Sequence, residues 1–99
     1  MRNTQQRARP LFTLGQVFMT PGAEAALAAA DQSPFEFLAR HLAGDWGEGL
    51  PPEDVQANQD ALQQELRLLS RYLTKQNEVI WVITEYDRSI TTLLLPSEY

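Results

Sequence analysis

The chain has no cysteine, and this absence excludes several kinds of site at once. Without thiols there is no disulfide framework, no thiolate metal ligand and no cysteine nucleophile. A reducing compartment suits such a chain, so we expect a cytosolic setting. The single histidine, His41, forms no HxxH or HxxxH pair. The sequence therefore predicts neither a metal site nor a cofactor.

Long apolar runs and clustered positive charge are also missing. No stretch approaches the roughly 18 residues that cross a bilayer, and residues 1–10 contain arginines but no apolar core of a secretory signal. The net charge is −5, and residues 21–66 are acidic with Arg40 as their one base. Because contacts to a nucleic-acid backbone need clustered cations, nucleic-acid binding is not expected. Membrane association is not expected either, because no long apolar run is present. A protein partner is compatible with this charge.

A dense run of β-branched and aromatic residues over 78–96 organises the rest of the chain. It is interrupted only at residues 86–89, which predicts two adjacent strands, 79–86 and 90–95, at the centre of a sheet. Residues 67–73 fit either the end of the preceding helix or a strand. Their length favours a strand that pairs with residues 79–86.

Upstream of this run the sequence predicts a basic tail over residues 1–10, a strand over residues 11–19 and then helices. Gly15 indicates a bulge or a close backbone approach within that strand. The helix signals are N-caps, first-turn prolines and apolar stripes. Thr20-Pro21 precedes a helix over 22–31 whose inward residues are Ala23, Ala26, Leu27 and Ala30. Ser33-Pro34, with Glu36, precedes a second helix that ends at Gly44 and has Phe35, Leu38, Ala39 and Leu42 inward, and Glu53-Asp54 begin a polar third helix.

These elements predict one α+β domain over residues 11–99. It comprises an N-terminal strand, two to three short helices and a three-stranded antiparallel meander, with the helices packed on one face. Both faces of the meander are apolar, and the helical cover is thin. A homodimer formed through the sheet is therefore expected.

His41 lies one helical turn before Asp45, and the pair raises the question of a general base. An aspartate could hold the imidazole in one tautomer, as in many hydrolases. The alternative, which we favour, is an exposed or half-buried helical histidine near a helix C-terminus, where positive charge is mildly stabilising. Trp46, in the glycine-rich loop that follows, is expected to plug the edge of the core or to line a binding surface beside Asp45.

A second polar cluster surrounds the turn at Asp87, Arg88 and Ser89. Together with Thr91 and Thr92 it could bind a phosphate, because arginine offers a fork of donors and the hydroxyls add more. The alternative, again favoured, is an ordinary hairpin turn with local hydrogen bonds. The aromatic residues of the predicted strands, Tyr72, Trp81 and Tyr86, are expected to pack rather than to stack on bases, because they have no basic interleaving.

Several short motifs, in order, resemble a family of short bacterial proteins found on plasmids and integrated mobile elements: Thr20-Pro21-Gly22-Ala23, Arg40-His41, Gly44-Asp45-Trp46-Gly47, Leu69-Ser70-Arg71-Tyr72, Trp81-Val82-Ile83-Thr84-Glu85, Asp87-Arg88-Ser89 and the tail from Thr91 to Tyr99. The chain departs from the family pattern at Gln64-Glu65, where small residues are expected, and at Tyr86, where alanine is expected. The resemblance implies a strand over 67–73 and a bacterial cytosolic setting. It implies no activity.

Three functions follow as hypotheses. The preferred one is a non-enzymatic accessory or interaction protein of a mobile element, acting by protein contact through its acidic helical face or a sheet dimer. The second is a small ribonuclease-like or phosphate-handling enzyme, with His41, Arg67, Arg88, Ser89 and Thr91 as candidate residues; it rests on fold analogy alone. The third is an acidic inhibitor of a host defence or of a nucleic-acid-binding protein, in which carboxylates mimic phosphates.

Overall fold

The computed structural model describes residues 9–99, so most of the predicted tail over residues 1–10 lies outside the described residues. The elements follow in the order β1 (Gln16–Met19), α1 (Pro21–Ala30), α2 (Pro34–Leu42), α3 (Pro52–Gln64), β2 (Leu68–Leu73), β3 (Val79–Thr84) and β4 (Ile90–Leu94), followed by a 3-10 turn over Pro96–Glu98. The α+β class is confirmed, and the ambiguous residues 67–73 fall mainly in a strand.

The four strands form one sheet in the order β1-β4-β3-β2. β2, β3 and β4 run antiparallel as a meander, with Leu68 opposite Thr84 and Trp81 opposite Leu94. β1 pairs with β4 in parallel, with Gln16 opposite Ile90. The sheet is therefore mixed. The predicted antiparallel meander is one part of it, and the N-terminal strand joins it as an edge.

The alternation of side chains predicted a strand that begins at residue 11, but β1 begins at Gln16. The residues before it turn toward α2, where the Leu11 N–H donates to the carbonyl of Leu42 at 2.9 Å. Gly15 has φ +65°, and a Cβ atom there would lie 2.2 Å from the backbone oxygen of Ser89. The close approach predicted at Gly15 is confirmed, and this bend limits the strand to four residues.

The helices begin where the capping residues predicted. The Thr20 hydroxyl accepts from the Ala23 N–H at 3.2 Å, and the Ser33 hydroxyl accepts from the Phe35 N–H at 3.1 Å. Glu36 does not complete a capping box, because its carboxylate accepts from the Gln32 side chain instead.

All three helices pack on one face of the sheet, as expected. The main core joins side chains of α1 and α2 to the inward side chains of the strands: Ala23, Ala26, Leu27, Phe37 and Leu38 with Tyr72, Ile80, Val82 and Leu93. A smaller cluster unites Trp46, Ala61 and Leu68 under α3. The predicted inward stripe of α1 is buried in full.

The inward face of α2 differs from the prediction. Its buried residues are Phe37, Leu38 and His41, whereas Phe35 is 75% exposed. The prediction treated histidine as an outward polar residue and set the phase of the helix accordingly. In the structure, polar partners on the sheet draw His41 inward and rotate the buried stripe.

The opposite face of the sheet, called here the helix-free face, carries the alternate side chains of the strands, among them Phe18, Leu69, Leu73, Trp81, Ile83 and Leu94. The C-terminal turn partly covers this face, bringing the Tyr99 ring within 5.6 Å of the Trp81 ring. Glu98 anchors the turn, because its carboxylate accepts from the Thr20 hydroxyl at 2.5 Å and from the Gly22 N–H at 2.9 Å. Among the helices over residues 9–99, none has the length and apolar content to cross a bilayer.

Candidate functional site

His41 lies at the centre of a buried chain of hydrogen bonds that crosses the helix-covered face of the sheet. Its Nδ1 atom is 2.6 Å from the Ser70 hydroxyl on β2, and its Nε2 atom is 3.0 Å from the Thr84 hydroxyl on β3. Thr84 is 2.7 Å from the hydroxyl of Thr91 on β4, which donates at 2.8 Å to the carbonyl of Leu14, just before β1. These hydrogen bonds therefore run across the sheet, from the β2 edge to the segment just before the β1 edge.

The last bond fixes the direction of the others. Because Thr91 donates to a carbonyl, its oxygen accepts from Thr84, and the Thr84 oxygen in turn accepts from Nε2 of His41. The imidazole is then the Nε2–H tautomer, and Nδ1 accepts from the Ser70 hydroxyl. Every donor in the row has one acceptor. A satisfied network of this kind specifies how the elements pack.

The four side chains of this network are out of reach of a substrate. Ser70, Thr84, Thr91 and His41 are each 0% exposed. Burial, assisted by the nearby charge of Arg88, lowers the pKa of His41 to about 3, so the ring stays neutral at physiological pH. A serine beside a histidine is the start of a nucleophilic pair, but here neither atom faces solvent. The network is suited to holding α2 on the sheet.

Asp45 does not pair with His41. It accepts from the Arg40 guanidinium at 2.6 Å in a largely exposed ion pair, and this neighbour lowers the pKa of the Asp45 carboxyl. Arg40 also stacks on the ring of Tyr72, whose hydroxyl donates to the Asp45 carbonyl at 2.5 Å. Burial raises the pKa of Tyr72. Trp46 is 7% exposed and fills the core beside His41, as expected for a plug.

A polar cleft of about 150 Å³ lies over this region, next to Arg40, Glu48 and Arg71. Its two guanidinium groups lie near two carboxylates, those of Asp45 and Glu48. The cleft therefore has little net charge with which to select an anion.

Arg88 is held by backbone carbonyls. Its Nη1 donates to the carbonyls of Leu66, Glu85 and Tyr86 at 2.7 to 3.1 Å, and its Nη2 donates to that of Ala61 at 2.9 Å. The guanidinium thus caps the C-terminal end of α3, where the helix dipole favours a cation. Both Arg88 and His41 contact the Phe12 ring, with centroid distances of 5.8 and 5.1 Å, so one aromatic side chain adjoins the two catalytic candidates.

The remaining candidates do not converge on a pocket. The Asp87 carboxylate accepts from the backbone N–H and the hydroxyl of Ser89, and these bonds lower its pKa. Thr91 points into the core, whereas Thr92 belongs to the helix-free face. The other candidate side chains are dispersed: Arg67 bonds the Tyr99 hydroxyl, Tyr72 and Trp81 lie on opposite faces of the sheet, and Tyr86 is 64% exposed beyond β3. The arrangement favours the hairpin-turn interpretation.

The chain itself covers the β2 edge of the sheet at Leu69 and Arg71. The side-chain amide of Asn58 on α3 donates to the Leu69 carbonyl at 2.7 Å, and its oxygen accepts from the Leu69 N–H at 3.0 Å. The Arg71 N–H donates to the Trp46 carbonyl at 2.9 Å. Gly47 lies so close that a Cβ atom there would fall 1.7 Å from the Arg71 carbonyl oxygen. No strand can add alongside Leu69 and Arg71 without displacing α3 and the loop.

The β1 edge is different. Gln16 and Thr20 donate inward to carbonyls beside β4 at 2.9 and 3.0 Å. Because successive peptide groups of a strand point in opposite directions, Val17 and Met19 direct their N–H and C=O groups outward. Three of the four exposed side chains of β1 are apolar: Val17 is 42% exposed, Phe18 50% and Met19 36%. Within residues 9–99 no further strand pairs with it.

An apolar groove of about 480 Å³ runs beside this edge, between β1 and α2. Its walls are side chains of α2 and of the segment from Leu14 to Met19: Leu14, Val17, Met19, Pro34, Phe35, Leu38, Ala39 and Leu42. None of these residues is charged. The residues predicted as the buried stripe of α2 therefore form the wall of an open groove.

Sequence reasoning missed three parts of this arrangement: Ser70, Thr84 and the groove. A signal for the first two was present, because each hydroxyl falls on the inward phase of a strand that is otherwise apolar, the phase shared with Tyr72 and Val82. Within residues 9–99 no group of three His, Asp or Glu side chains could hold a metal ion. Comparison with known protein families, curated proteins and solved structures found no match to this chain.

Proposed function

We propose that this chain is a non-enzymatic interaction protein whose β1 edge and adjoining groove take an extended segment of a partner protein. The observation that carries the proposal is the position of Val17 and Met19, whose backbone N–H and C=O groups point outward beside an apolar groove. Addition of a strand to an open edge gives affinity through main-chain bonds and specificity through alternate side chains in the groove. The resemblance adds a bacterial mobile element and its host cytosol as the proposed setting.

The polar side chains considered for catalysis support this proposal, because they are engaged in hydrogen bonds within the fold. His41 and Thr91 are fully buried, and Arg88 makes four bonds to carbonyls. A ribonuclease-like or phosphate-handling enzyme would need such groups to face a substrate. An acidic inhibitor would instead act through the carboxylates of the helices. The groove is the better-formed surface, because its walls are continuous and apolar.

The chemistry of the groove defines the ligand. Alternate side chains of an added strand would enter it, and apolar side chains fit because no charge or amide lines the walls. The exposed carboxylates of α1 and α2 include Glu24 and Glu36. The segment expected is therefore extended and apolar on one face, with basic residues at its ends.

Selection from a displayed library of random short peptides tests the proposal. The full chain should select peptides with alternating apolar residues, and amide NMR shifts on binding should map to β1 and α2. Phe35→Glu should weaken binding at least about tenfold, because it places a charge on the groove wall. Met19→Pro should weaken it similarly, because it removes an outward N–H.

Tyr86→Glu is the matched control, since Tyr86 is an aromatic residue of similar exposure away from the groove. It should bind the selected peptides like the wild-type chain. Selection of no peptide, or of peptides whose shifts map to the helix-free face, would overturn the proposal.

A further inference from the structure

We infer that the β1 edge also pairs with the β1 edge of a second copy of this chain, in antiparallel register about a two-fold axis at Phe18. The inference rests on the proposed role of β1 as a docking strand and names one occupant for it. The result is one continuous sheet of twice four strands. All the helices lie on one side of it, because a two-fold axis perpendicular to a sheet keeps each face on its own side.

The outward backbone groups of β1 fix the register. Val17 and Met19 both direct N–H and C=O to the open edge, and Phe18 directs its groups toward β4. If Val17 faces Met19 of the second copy, the two residues exchange both hydrogen bonds. The symmetric pair does the same, which gives four bonds across the axis. Phe18 then faces Phe18 of the second copy as the pair without hydrogen bonds.

The side chains fit the same symmetry. On the helix-covered face, Val17 and Met19 of both copies form the floor between the two α2 helices, so that the two grooves become one closed interior. Phe35, which is 75% exposed in one copy, lies at the wall of that interior. On the helix-free face the two Phe18 rings become cross-strand neighbours, a pairing that stabilises sheets.

A second copy suits this edge for reasons of charge and shape. Residues 11–23 carry no charge, so two chains of net charge −5 meet at the axis without like charges in contact. Each copy supplies both an apolar strand and an uncovered groove, and one contact covers both. Edge strands are commonly protected by shortness, a lysine, a proline or a bulge; β1 is short, at four residues, but has none of the other three.

Mass in solution tests the contact. Sedimentation equilibrium of the full chain should give a dimer, and Phe18→Lys should raise its dissociation constant at least about tenfold by placing two charges side by side. Leu73→Lys is the control: Leu73 is also 50% exposed and also on the helix-free face, but at the β2 edge. That variant should remain a dimer. A monomeric wild-type chain overturns the inference, as does equal dissociation by both variants, which would place the contact on the helix-free face.

Cross-linking tests the register. The chain has no cysteine, so Phe18→Cys introduces a single thiol. Opposed residues without hydrogen bonds have Cα atoms about 4.5 Å apart, within the range of a disulfide, so the variant should oxidise to a covalent dimer. Val17→Cys should cross-link at least about tenfold more slowly, because each residue 17 faces residue 19. Equal rates would overturn the register.

The outcomes also separate this inference from the proposed function. Selected peptides that bind β1 of a monomeric wild-type chain would overturn self-pairing and leave the proposed function intact. A dimer that dissociates with Phe18→Lys, from a chain that selects no peptide, would support self-pairing and overturn the partner protein. Peptides that bind β1 and dissociate the dimer would support both.

Discussion

The two edges of the sheet are treated in opposite ways by one short chain. At the β2 edge, Asn58 and the loop around Gly47 satisfy or cover the outward backbone groups of Leu69 and Arg71. At the β1 edge, Val17 and Met19 leave theirs facing outward beside an apolar groove. A helix side chain and a closely packed glycine cover one edge of the sheet, and no equivalent cover is seen at the other edge among residues 9–99. The open edge is therefore the surface where interaction is expected.

The buried hydrogen-bond chain connects these two edges. It begins at Ser70 on β2 and ends at the Leu14 carbonyl just before β1, with His41 between them. Its members join β2, β3, β4 and α2 to the segment just before β1, without using solvent-exposed side chains. The polar residues that suggested chemistry in the sequence thus support the scaffold. The apolar residues predicted as the buried stripe of α2 line the groove.

The largest expected effect is at the covered edge. Gly47→Ala places a Cβ atom against the Arg71 carbonyl, in a residue with φ +92°. The loop must move away, and the hydrogen bond from Arg71 to Trp46 is lost with it. We expect a loss of about 3 kcal/mol or more in the free energy of unfolding, measured by urea denaturation.

Gly44→Ala is the control for this change. Gly44 has a similar φ of +83°, but its added methyl group meets side chains and no backbone: Leu11 at 2.9 Å and Trp46 at 3.8 Å. It should cost clearly less than Gly47→Ala. Equal losses would show that backbone conformation alone, and not cover of the β2 edge, sets the cost.

Asn58→Ala should give the next largest effect. The substitution removes both bonds to the backbone of Leu69 and leaves those groups facing an apolar side chain. We expect a loss of about 2 to 3 kcal/mol by urea denaturation. Gln59→Ala, at an exposed position on the same helix, should cost less than about 0.5 kcal/mol. If the two variants lose the same stability, Asn58 does not protect the edge.

The parts of the fold that depend on local pattern could be predicted from the sequence. Thr20 and Ser33 mark helix starts because a capping hydroxyl acts on the next few N–H groups. The meander follows from alternation over residues 67–95, and Gly44 ends α2 because it adopts the left-handed conformation. All of these are interactions between near neighbours in sequence.

The parts that depend on distant contacts could not be predicted. The length of β1 is set by the meeting of Gly15 with Ser89, and its parallel direction by pairing with β4. The phase of α2 is set by hydroxyls on two strands, so a pattern that counts His41 as polar points it outward. The groove exists because of that rotation. Its position therefore follows from the tertiary structure and not from the periodicity of the helix.

The pH dependence of the free energy of unfolding tests the buried hydrogen-bond chain through its central residue, His41. Folded His41 stays neutral to a pKa of about 3, whereas an unfolded histidine takes up a proton near pH 6.5. Between these values the unfolded chain binds more protons, so stability is fully present above pH 6.5 and falls as the pH decreases. The slope from this residue is at most about 1.4 kcal/mol per pH unit.

His41→Gln separates this slope from that of the carboxylates. The variant is less stable at pH 7, because it cannot reproduce both ring bonds, but its stability should fall less steeply between pH 6.5 and 4. Urea midpoints measured across this range provide the comparison. Parallel curves for the two proteins would mean that the folded chain tolerates a protonated His41.

The smallest expected effect is at the open edge and completes the comparison. Val17→Thr adds a hydroxyl to a side chain that is 42% exposed, and it should change the free energy of unfolding of the monomer by less than about 0.5 kcal/mol. The same substitution at Val82, which is 0% exposed on β3, buries that hydroxyl and should cost about 1 to 3 kcal/mol. Urea denaturation in the Phe18→Lys background, at a protein concentration well below the dissociation constant of that variant, measures both substitutions in the monomer. A cost at Val17 equal to that at Val82 would mean that β1 is covered within the monomer, and the contrast between the edges would be lost.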